Sequence, residues 1–377
     1  MDCNACFVTT DDELIALKEG WNRLVQSQPE TDMPFYSWDW FYRSWIHFGK
    51  PCGQELYIVA IYEASRLIGI LPLVRSQRKS SKITYRILSF CNVGMMPRTT
   101  IYTESHDQES VFRAAWNHLF DHRSDWDMME LANVLETSPF HRFILEGEHR
   151  AGYALIQNQS FVAPFIELTG TLEEYCNSLS RKPRQDLRSR VKHFNDSNSS
   201  PLIRFFKTPN EIREGLEYLE AIHANSWKKT EGNPHHSQFY HEVMPILAEV
   251  GEVQIAAAFL DDAPISVWCV MCKNGTYYAC FTAYDLNYRG YSPGIVLLYY
   301  QLEQLLKEGG KIFDFCGTTY AYKEKYATGH LNHSTFQVFH SGFKSRFVYW
   351  AKTLLLPLAR KMMRKPADKD LIAKRRG

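Results

Sequence analysis

The segment from Val253 to Gly317 places the strongest constraint on the fold, because it reads as strands, a helix and a further strand. VQIAAAFLDDAPISVWCVMCKNGTYYACFTAYD is a series of apolar strands joined by short polar turns. A helix is predicted to start at Pro293, since proline suits the first helical position, and to end at Gly309-Gly310. The strand FDFCG follows. A crossover helix between two strands predicts that they pair in parallel, which indicates an α/β fold.

The same pattern occurs earlier in the chain. The segment from Leu56 to Arg75 is also two apolar strands joined by a polar turn, and a tryptophan-bearing helical region precedes each hairpin. The 377 residues exceed the size at which a single core usually stops growing. We therefore predict an α/β fold with a mixed sheet and α+β character, made of two tandem modules (1–160 and 161–348) and a basic amphipathic tail (349–377).

The loop before the predicted helix has features of an anion-binding site. In YRGYSPG a basic residue is followed by glycines at a helix start. A helix N-terminus presents backbone N–H groups and the positive end of the helix dipole, which suit a phosphate or pyrophosphate. The candidate donor-binding residues are Arg289, Gly290, Tyr291, Ser292 and Gly294. The alternative is a turn that only starts the helix.

Three tyrosines and two lysines follow the next strand, in FDFCGTTYAYKEKYATG. If the two strands are parallel neighbours, this end opens on the same side of the sheet as the anion loop, where ligands of open α/β sheets bind. Lys323 and Tyr322 then border the pocket, and Tyr326 is either a further pocket residue or a packing residue. Asp314 is a candidate substrate contact or base, against a structural hydrogen-bonding role.

A basic segment, RKPRQDLRSRVKHF, lies upstream in a region predicted to be helical, which opens with a capping box at Thr171 and Glu174. On a helix its bases form a face suited to a phosphorylated donor, a nucleotide sugar or an anionic carrier, or a face that is merely solvated. We select Lys182 and Arg184 as candidate ligand contacts. Trp227 is a candidate acceptor contact, with helix packing as the alternative.

Composition argues against several classes of function. Lys plus Arg and Asp plus Glu number 43 and 42, so no global basic excess indicates DNA binding. Nine scattered cysteines predict reduced thiols in the cytoplasm. We expect no metal, because the C-x-x-C pairs and His235-His236, predicted to lie in a loop, have no ligand set beside them. The N-terminus does not resemble a signal peptide, and no window resembles a spanning helix.

Several separated motifs together resemble one family. DLNYRGYSPGIVLLYYQLEQLLKEGGKIFDFCGTTYAYKEKYATG resembles the signature of the BioF2-like acyltransferase family, of the CelD type, within the GNAT superfamily and related to the FemAB aminoacyltransferases. The matching positions are Ser292-Pro293-Gly294, Asp314, Gly317 and Tyr322-Lys323. With the basic segment and Trp227 the resemblance extends over residues 160–345. PFYSWDWFYRSW resembles the family's N-terminal half more weakly.

The resemblance implies two tandem GNAT-like modules and an acyltransferase, in particular an N-acyltransferase, with its cleft in or beside the second module. It implies an acyl-CoA donor, with acetyl-CoA as the first candidate, and a reaction that needs no metal. The implied acceptor is an amine or hydroxyl of a cell-envelope saccharide or of a related small molecule of polysaccharide biosynthesis. In the FemAB relatives an aromatic-Lys pair brings a cation to the reacting carbonyl, which implies that role for Lys323. An ammonium there stabilises the charge that develops on the carbonyl oxygen.

The loop departs from the Gly-rich pyrophosphate loop of ordinary GNAT enzymes, because Pro293 stands inside it. Two alternatives therefore stay open. One is an aminoacyl-tRNA-dependent transferase of the FemAB kind, although the chain lacks a coiled-coil insertion and a basic excess for tRNA. The other is a non-catalytic module that binds a polysaccharide precursor or a partner protein.

The C-terminal residues, from Phe343 on, mix aromatic and leucine residues with many Lys and Arg and few acids. Such a segment can lie on an anionic membrane surface, or pack its apolar part on the body and leave a charged end. We expect a cytoplasmic protein that either stays free of the membrane or makes peripheral contact at its inner face through this segment.

Overall fold

The computed structural model of the protein describes residues 3–27, 32–80, 83–91, 96–104, 108–151, 153–226, 234–317 and 320–355. Its strands are β1 (Cys3–Val8), β2 (Glu55–Leu56), β3 (Ile58–Glu63), β4 (Arg66–Leu71), β5 (Leu73–Ser80), β6 (Ile83–Phe90), β7 (Tyr102–Thr103), β8 (Met128–Leu135), β9 (Ala154–Glu167), β10 (Pro201–Phe206), β11 (Val253–Leu260), β12 (Ala263–Lys273), β13 (Thr276–Tyr284), β14 (Ile312–Asp314) and β15 (Gly329–Phe339).

The α-helices are α1 (Asp11–Ala16), α2 (Lys18–Gln26), α3 (Trp38–Ser44), α4 (Gln108–Asp121), α5 (Pro139–Ala151), α6 (Leu172–Ser178), α7 (Arg181–Asn195), α8 (Pro209–Ala224), α9 (Pro234–Glu249), α10 (Pro293–Lys307), α11 (Ala321–Tyr326) and α12 (Phe343–Trp350). Short 3-10 helices occur at Pro34–Tyr36, Arg123–Asp125 and Leu286–Tyr291, and π-helical turns at Trp45–Gly49 and Ala351–Leu355.

The strands form two sheets. The smaller has the strand order β1-β3-β4-β7, and the larger has the order β10-β11-β12-β13-β14-β9-β15-β8-β6-β5-β2. Two pairs in the larger sheet are parallel, β13 with β14 and β6 with β8, and the other neighbours are antiparallel. The predicted mixed sheet and the predicted parallel pairing across α10 are therefore confirmed.

The two halves of the chain exchange a strand. β9 follows β8 in sequence, yet it lies between β14 and β15; β15 follows β14 in sequence, yet it lies between β9 and β8. The β9–β15 pairing runs from Gly329 opposite Phe165 to Phe339 opposite Ala154. Each half of the larger sheet therefore continues through a strand of the other half.

Helices cover both faces of this sheet and bury its apolar residues. On one face α8 and α9 pack on β11 to β13 and meet α3 of the first half, where Trp40 and Phe239 contact edge to face at 5.0 Å between ring centroids. On the other face α6, α7 and α10 cover the same strands. In the first half α4 and α5 cover β8 and part of β15, whose Phe336 and Val338 are fully buried, together with β3 of the smaller sheet. The halves thus share their hydrophobic cores.

Local sequence signals account for several helix starts. The predicted capping box at α6 is confirmed: the Glu174 N–H donates to Thr171 Oγ1 at 3.2 Å, and the Thr171 N–H donates to the Glu174 carboxylate at 2.7 Å. Thr10 and Thr208 cap α1 and α8 in the same way. Proline is the first residue of α8 and of α10, where its missing N–H costs no hydrogen bond.

The predicted loop at His235 and His236 is wrong, and the predicted module boundary is not tested by the structure. His235 and His236 were predicted to lie in a loop but belong to the first turn of α9, which Pro234 starts and whose Phe239 and Val243 are buried four residues apart. Residue 160, the predicted module boundary, falls within β9, and the division into modules stays a prediction. Of the helices within the described ranges, none has both the length and the apolar composition to cross a membrane.

The strand exchange predicts that the halves do not fold separately. A fragment of residues 1–168 lacks β15, so β8 and β9 lose the strand between them and an apolar face is exposed. We expect this fragment to show no cooperative thermal unfolding by circular dichroism, whereas the full chain shows one transition. Residues 1–355, which keep every described element, are the control and should retain the transition. A cooperative transition in residues 1–168 alone would contradict the shared-sheet interpretation.

Candidate functional site

A cavity of about 320 Å³ lies where β12 and β13 approach the starts of α10 and α11. Its lining comes from α7, from these two strands and from the segments before and at both helix starts: Arg190, Trp268, Thr282, Tyr284, Arg289, Ser292, Pro293, Gly294, Ile295, Tyr320 and Tyr322. The anion loop and the tyrosine-rich segment, which the sequence placed on one side of the sheet, both border this cavity.

The cavity forms because β13 and β14 separate. The two strands pair over three residue pairs, of which the last is Tyr278 opposite Asp314, while β13 continues to Tyr284. After β14 the backbone turns at Cys316 and Gly317, which have φ values of 47° and 56°. A space therefore opens beside the second half of β13, at the carboxyl ends of two parallel strands.

The loop at the start of α10 offers few free amides. Ser292 has a left-handed conformation, with φ 52° and ψ 49°, and Pro293 has no N–H. The Ile295 N–H donates to the Ser292 carbonyl at 2.9 Å. Gly294 thus supplies the first backbone N–H of α10, and it lines the cavity. The helix dipole favours an anion there, with fewer amides than a loop that surrounds a pyrophosphate.

The two glycines of the loop have open surroundings. A Cβ atom at Gly290 would meet nothing within 4 Å, and one at Gly294 would lie 3.9 Å from Tyr284 Cδ1. Crowding within the protein therefore does not require glycine at either position. Room remains for a ligand to approach this backbone.

Two arginines give the cavity its positive charge. Arg289 lies in the 3-10 turn before α10, and Arg190 lies on α7 across from it. The Arg190 guanidinium donates to Ser292 Oγ and is 3.8 Å from the Asp186 carboxylate. Because its side chain is 35% exposed, this guanidinium is open to a ligand as well. Guanidinium groups suit phosphate, which they bind through parallel N–H bonds.

Tyr320 and Tyr322 form an aromatic wall of the cavity. Their rings stack with centroids 6.2 Å apart and planes 15° from parallel. Burial raises the pKa of Tyr322 to about 12, and the neighbouring Tyr320 adds to this effect. The Tyr322 hydroxyl therefore keeps its proton at neutral pH and is a hydrogen-bond donor.

Lys323 is buried next to this wall rather than exposed on its helix. Its ammonium donates to the carbonyls of Phe315 at 3.1 Å and Cys316 at 2.8 Å, and lies 5.4 Å from the centroid of the Tyr320 ring. These carbonyls belong to the turn after β14, so the ammonium satisfies backbone groups that have left the sheet. Lys323 thus fixes the turn relative to the aromatic wall.

Asp314 is held in a buried ion pair with Arg98. The two side chains are 3% and 8% exposed, the Arg98 guanidinium donates to Asp314 Oδ2, and the Cys316 N–H donates to Oδ1 at 2.8 Å. Burial alone lowers the pKa of Arg98, but Asp314 raises it above its ordinary value, so the guanidinium is charged. Burial, with the Arg98 charge, lowers the pKa of the nearby His333 to about 4 and keeps its imidazole neutral.

Some predicted site residues lie away from the cavity lining. Lys182 is exposed on α7, and Arg184 donates to the carbonyl of Asn177 at 3.0 Å. Tyr326 is 1% exposed and belongs to the hydrophobic core that α6, α7 and α10 cover. Their predicted ligand contacts stay predictions.

The remaining predicted contacts have different positions. Tyr291 stacks on His193, with ring centroids 5.0 Å apart, and thereby joins the loop to α7. Trp227 lies outside the described residues.

Within the part of the chain that the structure describes, no group of three or more His, Cys, Asp or Glu side chains is arranged to hold a metal ion. Burial, and then the Asp314 charge, raise the pKa of the Cys316 thiol, which disfavours a thiolate nucleophile.

Two arginines of the site, Arg190 and Arg98, were not predicted from the sequence. Arg190 stood within the basic segment, but Lys182 and Arg184 were selected instead. The spacing gave a usable signal, because Arg190 follows the buried Leu187 by three residues and therefore borders the face of α7 that packs inward. Arg98 had no such signal, since its partner Asp314 is 216 residues away.

Comparison with known proteins agrees with this architecture. Residues 181–324, less than half of the chain, match the family model described as "Acetyltransferase (GNAT) domain". No curated protein matches.

Three solved structures share the fold over most of their length. One is "Crystal structure of FemX", with a TM-score of 0.56 and 13% identity, and the likeness covers 87% of this chain and 96% of that chain. Another is a conserved protein of unknown function from Bacteroides thetaiotaomicron, with a TM-score of 0.53 and 11% identity, covering 89% of this chain and 100% of that chain. A third is the C-terminal domain (DUF2156) of a putative lysylphosphatidylglycerol synthetase from Agrobacterium fabrum, with a TM-score of 0.53 and 9% identity, covering 91% of this chain and 97% of that chain. At these identities the likeness concerns the fold.

The family match and the fold together define a GNAT-type acyltransferase fold. The part of the chain that matches the family model is residues 181–324, and every residue that lines the cavity lies within this range. The predicted α/β fold class is confirmed.

The buried ion pair gives a stability prediction. Arg98→Met leaves the Asp314 carboxylate buried without its counter-charge, so we expect the free energy of unfolding to fall by about 3–5 kcal/mol in urea titrations followed by tryptophan fluorescence. The double variant Arg98→Met/Asp314→Leu should recover much of this loss. Lys307→Met, which breaks the exposed ion pair with Glu303, is the control, with an expected change of about 0.5 kcal/mol or less. With Asp314→Leu as the second single variant of the double-mutant cycle, a coupling energy near zero between positions 98 and 314 would refute the pairing.

Proposed function

We propose that this cavity transfers an acyl group from a thioester donor, an acyl-CoA and first of all acetyl-CoA, to an amine or hydroxyl of a small acceptor. The observation that carries the proposal is that one cavity is lined both by two arginines beside the start of α10, which we call its charged end, and by the phenol of Tyr322. Transfer from a phosphorylated acyl donor requires cations that bind its phosphates and a hydrogen-bond donor for the charge that develops on its carbonyl oxygen.

The charged end suits the donor's phosphates. Arg190 and Arg289 can each place a guanidinium on phosphate oxygens, and the Gly294 N–H lies at the positive end of the α10 dipole. In this arrangement the two guanidinium groups provide hydrogen bonds to phosphate oxygens that several backbone amides provide in a Gly-rich loop. The limited set of amides at Pro293 is therefore compatible with a CoA donor, whose phosphates carry negative charge.

The reaction itself needs stabilisation of one developing charge. The acceptor nitrogen or oxygen attacks the carbonyl carbon, the carbon–sulfur bond breaks, and the acceptor's proton ends on the thiolate to give free thiol. Negative charge develops on the carbonyl oxygen, where the Tyr322 hydroxyl donates a hydrogen bond. Because its pKa is well above that of a thiol, Tyr322 serves better as an oxyanion donor than as an acid toward a thiolate.

Lys323 supports this step from beside the wall. Its ammonium holds the turn after β14 and contacts the Tyr320 ring, which in turn stacks on Tyr322. The direct contact with the reacting carbonyl, which the family resemblance implies, stays a prediction. In either role the positive charge favours a nearby oxyanion.

The acceptor is proposed to be saccharide-like. Tyr320, 41% exposed, and Tyr322 offer flat aromatic faces of the kind that pack against the apolar face of a sugar ring while a hydroxyl contacts its polar edge. The resemblance to the BioF2-like, CelD-type family supports the same class of acceptor in cell-envelope polysaccharide biosynthesis.

A second candidate is an aminoacyl ester donor on tRNA. Two observations favour it: Pro293 leaves few amides for a pyrophosphate, and the high pKa of Tyr322 suits protonation of an alkoxide, which is far more basic than a thiolate. The fold likeness to FemX and to the lysylphosphatidylglycerol synthetase domain is consistent with this candidate.

Donor binding tests the charged end of the cavity. Isothermal titration with acetyl-CoA, longer acyl-CoAs, CoA and a non-hydrolysable aminoacylated RNA hairpin should show micromolar binding of one class. Arg289→Ala and Arg190→Ala should each weaken it about tenfold, because each removes a charge-assisted hydrogen bond. Lys192→Ala removes an equal charge from an exposed residue of the same helix as Arg190 and should change affinity by less than about twofold. If only the RNA binds, the thioester donor is excluded; if neither class binds, both donor hypotheses are wrong.

Tyr322→Phe tests the chemical step. With the donor so identified, we expect kcat to fall about 10²- to 10³-fold with little change in donor affinity, as on removal of one oxyanion donor. The control is Tyr320→Phe, which keeps the stacked ring and should change kcat by less than about threefold. Since the pKa of Tyr322 is about 12, the wild-type rate should show no alkaline loss from this group below about pH 10. Equal rates for the two variants would rule out the role of Tyr322.

A further inference from the structure

The C-terminal helix presents an apolar stripe to solvent. Phe343, Phe347, Trp350 and Leu354 are 89%, 41%, 60% and 50% exposed. They are spaced by four, three and four residues along α12 and the π-helical turn after it, which places them on one side of the helix. We call these four residues the C-terminal stripe. Exposed apolar groups of this size and continuity mark an interaction surface.

The opposite side of α12 is anchored to the body. Val348 packs with Phe339 and residues of β6 and β8, and the Ser345 hydroxyl accepts a hydrogen bond from the His340 N–H at 3.0 Å. Tyr349 contacts Phe339 with ring centroids 5.3 Å apart. The helix is therefore held by one side only, and the C-terminal stripe is presented on a fixed support.

Two exposed bases lie beside the C-terminal stripe on α12. Arg346 is exposed on α12, and Lys344, 47% exposed, lies 3.4 Å from the Asp127 carboxylate. In sequence, residues 343–377 contain eleven Lys or Arg and two Asp. A row of large apolar side chains with Lys344 and Arg346 beside it, followed in sequence by further Lys and Arg, is complementary to an anionic, partly apolar partner.

We propose that the C-terminal stripe docks on an anionic phospholipid bilayer, with α12 in the plane of the interface. The aromatic and leucine side chains enter the boundary between headgroups and acyl chains, and the bases remain at the lipid phosphates. A second copy of the chain is a poorer occupant, because a two-fold contact through the stripe would bring Lys344 and Arg346 of the two copies close together.

The docking surface lies away from the cavity. α11, which carries Lys323, precedes β15, and α12 follows it, so the eleven residues of β15 separate the two regions by roughly 35 Å of strand. Docking through α12 therefore tethers the protein without covering the cavity.

Vesicle sedimentation of the full chain tests the proposal. We expect partition onto phosphatidylcholine vesicles with 30% phosphatidylglycerol to exceed that onto pure phosphatidylcholine by about tenfold or more, and to fall in 0.5 M NaCl. Phe347→Glu/Trp350→Glu should reduce partition about tenfold or more. The matched control is Leu202→Glu/Val250→Glu, which adds the same two charges at exposed apolar residues on other elements and should retain most of the binding.

Other outcomes overturn the proposal. Failure of the wild-type chain to bind anionic vesicles would do so, as would equal losses in the two double variants. Dimerisation of the wild-type chain without lipid, abolished in Phe347→Glu/Trp350→Glu, would assign the stripe to a second copy. Hydrogen exchange on the wild-type chain gives a measurement without mutation: amides of 343–354 should become protected when anionic vesicles are added, and unchanged exchange contradicts the docking.

Discussion

The charge buried at Asp314 organises the site, because a carboxylate in that position needs both a counter-charge and hydrogen bonds. Arg98 supplies the counter-charge from the first half of the chain, and the Cys316 N–H supplies a hydrogen bond from the turn after β14. This turn then directs two carbonyls toward Lys323, whose ammonium satisfies them. One buried ion pair therefore fixes the end of β14, the turn and, through Lys323, the tyrosine wall of the cavity.

The crowding of tyrosines and lysines after β14 has a structural explanation in this arrangement. A strand of three residues ends beside a longer one, and the space between them needs both a wall and a means of holding the turn. Tyr320 and Tyr322 form the wall, Lys323 holds the turn, and Tyr326 belongs to the core below. The same few residues thus serve the fold and define the cavity, so substitutions there affect stability and ligand binding together.

Much of the second half was predictable from sequence because its signals are local. The capping box at Thr171, the proline that starts α10 and the apolar strands each depend on a few neighbouring residues, and the crossover helix then determines the parallel pairing. The cavity followed from that pairing. The Arg98–Asp314 pair, the burial of Lys323 and the exchange of β9 and β15 depend on contacts between distant residues, and periodicity and spacing along one chain carry no information about these.

The exchange of β9 and β15 also has a consequence during synthesis. When β9 leaves the ribosome, the strand that will lie between it and β8 is still more than 160 residues from being made. At about 5–20 residues per second the wait is roughly 10–30 s, during which β8 and β9 have open edges and an apolar face without its cover. Nascent chains of this protein are therefore expected to need protection from aggregation until nearly the whole polypeptide has been translated.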